Sequence, residues 1–145
     1  MRVAYLDAFS GLSGDMIVGA LLDAGLEIAD LERELAGIEI GGYRLRLESR
    51  ERSGIRAAKF VVDIDDRHGA RQHRHRHGGD HGHRRFADIR ELIRESRLAP
   101  RVAELSLQVF ARLAEAEGKV HGVDPEDVTF HEVGAIDSIV DIVGA

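Results

Sequence analysis

The sequence predicts an α+β fold: a small mixed or antiparallel sheet, with strands near 2–9, 43–49 and 55–64, covered by helices. Three observations lead there. Apolar residues alternate with period two between Tyr43 and Ile64, as in half-buried strands. They recur every three to four residues in several other stretches, as on helices. The strand–helix–helix–hairpin order at the start also fails to alternate as a doubly wound sheet would.

Residues 2–9, "RVAYLDAF", read as a buried strand because nearly every position is apolar. The small-residue turn "SGLSGD" follows. "DMIVGALLDAGL" then places Ile17, Ala20, Leu21 and Ala24 on one helical face, with Ser13 as N-cap, Asp15 in the positive first turn and Gly25 as the stop. A second helix over Ala29–Ala36 directs Leu31, Leu35 and Ile38 inward. Gly41 and Gly42 break the chain. "YRLRLES" alternates with Tyr43, Leu45 and Leu47 on one face, "RERSG" turns, and "IRAAKFVVDI" returns with Phe60, Val62 and Ile64 inward, which makes an antiparallel hairpin.

No hydrophobic period runs from 65 to 85, and residues 66–85 are expected to be a disordered, His/Arg-rich insert. Periodicity resumes with Phe86, Ile89 and Ile93 on one face. Pro100 then opens a helix predicted over 100–117, with Val102, Leu105, Val109, Leu113 and Ala116 inward and Gly118 as its stop. "DPED" at 124–127 reads as an Asp-capped turn, "VTF" as a short extended piece and "GAIDSIVDIVGA" as a last helix, with Ile136, Ile139, Val140 and Val143 buried. That pattern ends without a cap. The 145 residues are therefore expected to be a single N-terminal domain of something longer.

Composition narrows the function. Hydrophobic residues make up 43% and aromatic residues only 5%, so the core is aliphatic. No apolar run approaches the roughly 18 residues of a membrane helix, no secretory signal opens the chain, and cysteine is absent, which removes disulfides and thiolate metal sites. A cytoplasmic location follows as the default. Residues 67–85 carry six arginines and one aspartate, a local balance of +5 that leaves −11 for the rest of a chain whose net charge is −6. A nucleic-acid binder would instead spread basic residues over a folded face.

Candidate chemistry gathers in four places. "HRHRHGGDHGHRR" at 73–85 holds five of the eight histidines, and His73, His75, His77, His81 and His83 are candidate ligands for nickel, zinc, copper or cobalt. The interleaved guanidiniums repel a divalent cation, yet favour the neutral imidazole that ligates it. In "FHEVGAIDSIVDIVGA", His131 and Glu132 are adjacent, and Asp137 and Asp141 share a helix face. Like charges at that spacing destabilise a helix unless a metal, a metal–nucleotide or an arginine lies between them. In "YLDAFSGLSGDM", Asp7 and Asp15 flank a turn in which Ser10, Gly11, Ser13 and Gly14 could present N–H groups to an anion, although no P-loop lysine follows. His121, alone before a glycine, reads as a surface or capping residue.

Three segments together, "YLDAFSGLSGDMIVGALLDAGL", the His-rich insert before "FADIRELI", and "VHGVDPEDVTFHEVGAIDSIVDIVGA", closely resemble the LarC family of nickel-insertion proteins. The most diagnostic matches are His131, Glu132, Gly134, Ala135, Asp137, Ser138 and Asp141. The resemblance implies a nickel chelatase that inserts nickel into a pyridinium bis-thiocarboxylic acid mononucleotide. The product is the nickel-pincer nucleotide cofactor of lactate racemase and related enzymes. It further implies dependence on CTP with manganese or magnesium, and a C-terminal nucleotide-binding domain that this chain lacks, so completion of the reaction is expected of the full-length protein. Implied partners are the mononucleotide substrate, that C-terminal domain and a lactate racemase-type apoenzyme, with a homo-oligomer left open and neither nucleic acid nor membrane involved. Family members carry denser histidine and acidic runs. Here arginine fills alternate places and Asp80 is the one acid, which favours loose capture of nickel by the loop.

On this reading Asp7, Asp15, Asp137 and Asp141 are the catalytic candidates and serve the nucleotide metal, Ser10, Gly11, Ser13 and Gly14 bind the cofactor, and the five loop histidines with His131 and Glu132 handle metal. Two rivals remain. One is a nickel store or sensor without catalysis. The other is a metal-dependent phosphoester hydrolase built on Asp7, Asp15, His131 and Asp137.

Overall fold

The computed structural model describes residues 3–64, 84–130 and 135–145. The described residues form five helices and two small antiparallel sheets: α1 (Gly14–Asp23), α2 (Ile28–Leu35), β1 (Tyr43–Arg52), β2 (Ile55–Ile64), β3 (Arg84–Arg85), α3 (Phe86–Glu95), α4 (Pro100–His121), a single 3₁₀ turn (Pro125–Asp127), β4 (Thr129–Phe130) and α5 (Ile136–Gly144). The five loop histidines, His131 and Glu132 lie outside the described residues, as do residues 66–83 of the expected insert.

β1 and β2 pair from Tyr43↔Ile64 to Arg52↔Ile55, closed by Ser53 and Gly54, both with positive φ (53° and 77°). Two left-handed residues are what the right-handed twist of a two-residue hairpin requires, and glycine takes that conformation freely. The second sheet is a short clasp, Arg84↔Phe130 and Arg85↔Thr129, extended by the Phe86 N–H to Val128 O bond of 2.9 Å. Arg84 and Arg85 are therefore strand residues, not part of the insert. The clasp places Phe130 between Phe86 (centroids 6.4 Å, nearly perpendicular) and Phe110 (6.2 Å). Three of the five phenylalanines thus anchor an otherwise aliphatic core.

Several expectations are corrected. Residues 3–8 carry no strand; Val3, Tyr5, Leu6 and Phe9 stand exposed, because no described strand offers them an edge. Among the described residues the strands form two separate two-stranded antiparallel sheets rather than one, the hairpin β1–β2 and the long-range pair β3–β4. α1 buries Val18, Gly19 and Leu22, while Ala20, Leu21 and Ala24 face outward. Its end is as expected: Leu26 N–H reaches Leu21 O (3.0 Å) and Gly25 N–H reaches Leu22 O (3.1 Å), with Gly25 left-handed. α4 runs through Gly118 to His121 and is ended by left-handed Gly122. It buries Ser106, Phe110, Ala114 and Gly118, one i, i+4 row away from the expected Leu105, Val109 and Ala116, which are exposed. The reason is steric. The row with small residues lets the chain after the helix return closely, and a Cβ on Gly118 would lie 2.8 Å from Val123 O.

The inward faces expected for α2 and α3, namely Leu31, Leu35 and Ile38, and Phe86, Ile89 and Ile93, are buried. In the hairpin Leu45 and Phe60 are buried, whereas Leu47 and Ile64 are exposed.

Candidate functional site

Two helices set the site. α1 crosses α5 through glycine contacts. A Cβ on Gly14 would lie 2.8 Å from both Cβ and O of Asp141, and one on Gly144 would lie 3.5 Å from Val18 Cγ2. Because Gly14 meets Asp141 and Val18 meets Gly144, the two helices run in the same direction where they touch. The first turn of α1 is thereby held against the middle of α5, which brings Asp15 to Asp141.

Asp141 is the unusual group. Its Oδ1 is buried and, among the described residues, has no hydrogen-bond partner. Its carboxyl is pushed up to about 6, first by burial and then by the negative charges of Asp15 and Asp137, against a small opposing effect of an Asp15 backbone hydrogen bond. Among the described residues, no arginine or lysine is one of the groups that act on it. Asp137 and Asp141 therefore share a helix face, as the spacing predicted, and the tertiary fold adds Asp15 as a third charge.

The flanking turn is largely self-satisfied. Ser13 occupies the N-cap position of α1 without capping it. Its hydroxyl instead donates to Asp15 Oδ1, which also accepts the Met16 N–H at 2.9 Å. The Asp15 carboxylate thus sits where an anion bound to the helix N-terminus would sit. Gly11 is left-handed (φ 88°) and its N–H is bonded to Ala8 O at 3.0 Å; Ser10 is exposed beside it. Asp137 Oδ1 accepts the Ser138 N–H at 2.8 Å. Asp7 is exposed on the segment before the turn and is not among the charges acting on Asp141. His121 pairs with Glu117 across one turn of α4 (3.2 Å) on the surface, as expected of it.

Among the described residues, no group of three or more His, Asp or Glu side chains is arranged to hold a metal ion by itself. What the fold assembles is one orphaned carboxylate oxygen with two acids near it. A mostly apolar cavity of about 300 Å³ lies beside the C-terminal end of α5, between Leu26, Leu31, Leu98, Val102 and Val143, and none of Asp15, Asp137 and Asp141 lines it. Sequence reading missed the part played by Gly14, which is to let α5 approach. The repeated glycines at 14, 19 and 144 were the available signal, and it does not say which helix approaches.

The sequence model of the nickel insertion protein family matches residues 4–145, nearly the whole chain. The chain belongs to that family. A curated relative from Geobacter sp. (strain M21), named for nickel insertion, is 49% identical over 144 residues, which are 99% of this chain and 34% of the relative. The pyridinium-3,5-bisthiocarboxylic acid mononucleotide nickel insertion protein of Desulfitobacterium hafniense (strain DSM 10664 / DCB-2) is 48% identical over 100% of this chain and 33% of its own length. The protein of the same name in Geobacillus kaustophilus (strain HTA426) is 46% identical over 99% and 34%. The chain thus spans about a third of the length of the curated relatives it matches. No solved structure matches it significantly. None of the described helices is long and apolar enough to cross a membrane.

Proposed function

We propose that this chain is the N-terminal domain of a nickel chelatase that inserts nickel into pyridinium-3,5-bisthiocarboxylic acid mononucleotide. The full-length protein completes the nickel-pincer cofactor of lactate racemase-type enzymes, in a CTP-dependent reaction assisted by manganese or magnesium. The names of the relatives that align along the whole chain support the substrate. The observation that carries the site is the uncompensated Asp141 carboxyl, held against Asp15 by Gly14.

The division of labour follows ligand chemistry. Imidazole nitrogens suit nickel, so the loop histidines 73, 75, 77, 81 and 83 capture the substrate ion, and the mononucleotide supplies the sulfur ligands that a chain without cysteine lacks. Carboxylate oxygens suit the harder manganese or magnesium. Asp15, Asp137 and Asp141 are a partial donor set for such an ion, which would supply the positive charge that the Asp141 environment lacks. His131 and Glu132, directly before α5 in sequence, are the candidates to complete it. Asp7 and the Ser10–Gly14 turn have the weaker claim, since the Gly11 amide is already bonded to Ala8 O and the Met16 amide just beyond the turn to the Asp15 carboxylate.

The test is nickel insertion by the full-length protein, followed as a mass gain of one nickel on the mononucleotide. Calorimetry with nickel on the 145-residue chain runs beside it. Insertion is expected to need CTP, and nickel affinity is expected to fall when the five loop histidines become alanine. Insertion unaffected by Asp141→Ala would remove the aspartates from the reading, and unchanged affinity would remove the loop. A pure store would lose its only function on deletion of 67–85, whereas a hydrolase would release phosphate without nickel.

A further inference from the structure

The segment Val3–Phe9 carries an inference that stands apart from the nickel reading. Its sequence, Val-Ala-Tyr-Leu-Asp-Ala-Phe, has a single charge and is rich in residues that favour strands. Yet Val3 is 76% exposed, Tyr5 88%, Leu6 53% and Phe9 90%. A strand with solvent on one face would alternate apolar and polar residues. A nearly continuous apolar run is the signature of a strand covered on both faces.

The neighbouring helix tells the same story from the other side. α1 lays Val18, Gly19 and Leu22 on β2 and α5, with Gly19 so close to the hairpin that a Cβ there would lie 3.2 Å from Ala58 O. Its opposite face nevertheless carries Met16 and Leu21, both exposed, and Leu12 just before it is exposed as well. A helix that carries apolar side chains on more than one side fits between two layers. Only one of those layers is present among the described residues. The missing one is contiguous with residues 3–9, because the turn at Gly11 joins the two.

We infer that residues 3–9 are a β-strand awaiting its sheet, and that the sheet edge is supplied by the two thirds of the polypeptide that the relatives carry outside the matched third. The occupant is argued from length. The curated relatives are about three times as long as this chain and align along essentially all of it. Their additional residues are present in every copy of the polypeptide, at an effective concentration that a separate partner does not reach. Pairing there would satisfy the backbone groups of 3–9 and bury the outer face of α1 at once.

Hydrogen exchange tests this on the 145-residue chain and on the intact Desulfitobacterium hafniense relative over the aligned residues. The amides of 3–9 are expected to exchange at near-intrinsic rates in the 145-residue chain at every concentration. In the intact relative they are expected to exchange at least about a hundredfold more slowly. Fast exchange in both proteins overturns the inference. So does slow exchange in the dilute 145-residue chain, which would mean that its own residues cover the segment. Slow exchange that appears only as the 145-residue chain is concentrated also overturns it, in favour of a second copy as the occupant.

Discussion

Replacing Asp141 with asparagine should stabilise this domain near neutral pH and leave it unchanged in acid. The carboxyl is raised from 3.8 to about 6 in the folded protein, because burial and the charges of Asp15 and Asp137 disfavour its ionised form. A folded state that holds a proton more tightly than the unfolded chain loses stability as pH rises. The loss begins near the unfolded value of 3.8, grows through the interval, and levels off above about 6. The shift of roughly two units corresponds to at most about 3 kcal/mol, and solvent screening of a partly exposed side chain brings this to about 1–3 kcal/mol.

The asparagine side chain keeps the shape of the aspartate and cannot ionise. Urea unfolding of both proteins, followed by circular dichroism from pH 3.5 to 8, should therefore show curves that coincide at the acid end. They should separate by about 1–3 kcal/mol above pH 6.5, with the asparagine variant the more stable. A constant gap at all pH values, or a less stable variant at pH 7.5, would refute the claim that Asp141 is an uncompensated charge. The expected pairing of higher stability with lost function is the trade common at sites where charge is held for a ligand.

Other expectations follow from the same contacts. Manganese or magnesium at millimolar concentration should raise the melting temperature of the wild-type protein at pH 7.5, and do so less for Asp141→Asn, as seen by differential scanning calorimetry. Gly14→Ala places a methyl 2.8 Å from Asp141 Cβ and O. It should cost about 1–3 kcal/mol in urea unfolding, while a variant as stable as the wild type would show that α1 and α5 can part freely. Gly122→Ala, at φ 69°, should cost about 1 kcal/mol through the lost left-handed helix stop, whereas Gly41→Ala, with open space at its Cβ and no positive φ, should be nearly neutral. Phe130→Ala removes a ring that touches Phe86 and Phe110 and should cost about 3–5 kcal/mol, a large share of the stability of a domain of this size, read as a lower urea midpoint.

What could be read from the chain alone was local. The Tyr43–Ile64 hairpin, the start of α4 at Pro100, the Gly25 stop, the inward faces of α2 and α3 and the shared face of Asp137 and Asp141 all depend on periods and end signals that lie within one or two turns of sequence. The tertiary structure decided what depends on a neighbour. A glycine that stops a helix and one that admits a passing chain look alike in sequence, so Gly118 sits inside α4 and Gly122 ends it. A helix apolar on two sides does not announce which side packs first, so α1 turned Val18 and Leu22 inward rather than Ala20 and Leu21. A strand needs an edge that its own residues do not contain, and residues 3–9 found none among the described elements. Above all, the charge that makes Asp141 unusual comes in part from Asp15, more than a hundred residues away, because two glycines let α1 lie against α5.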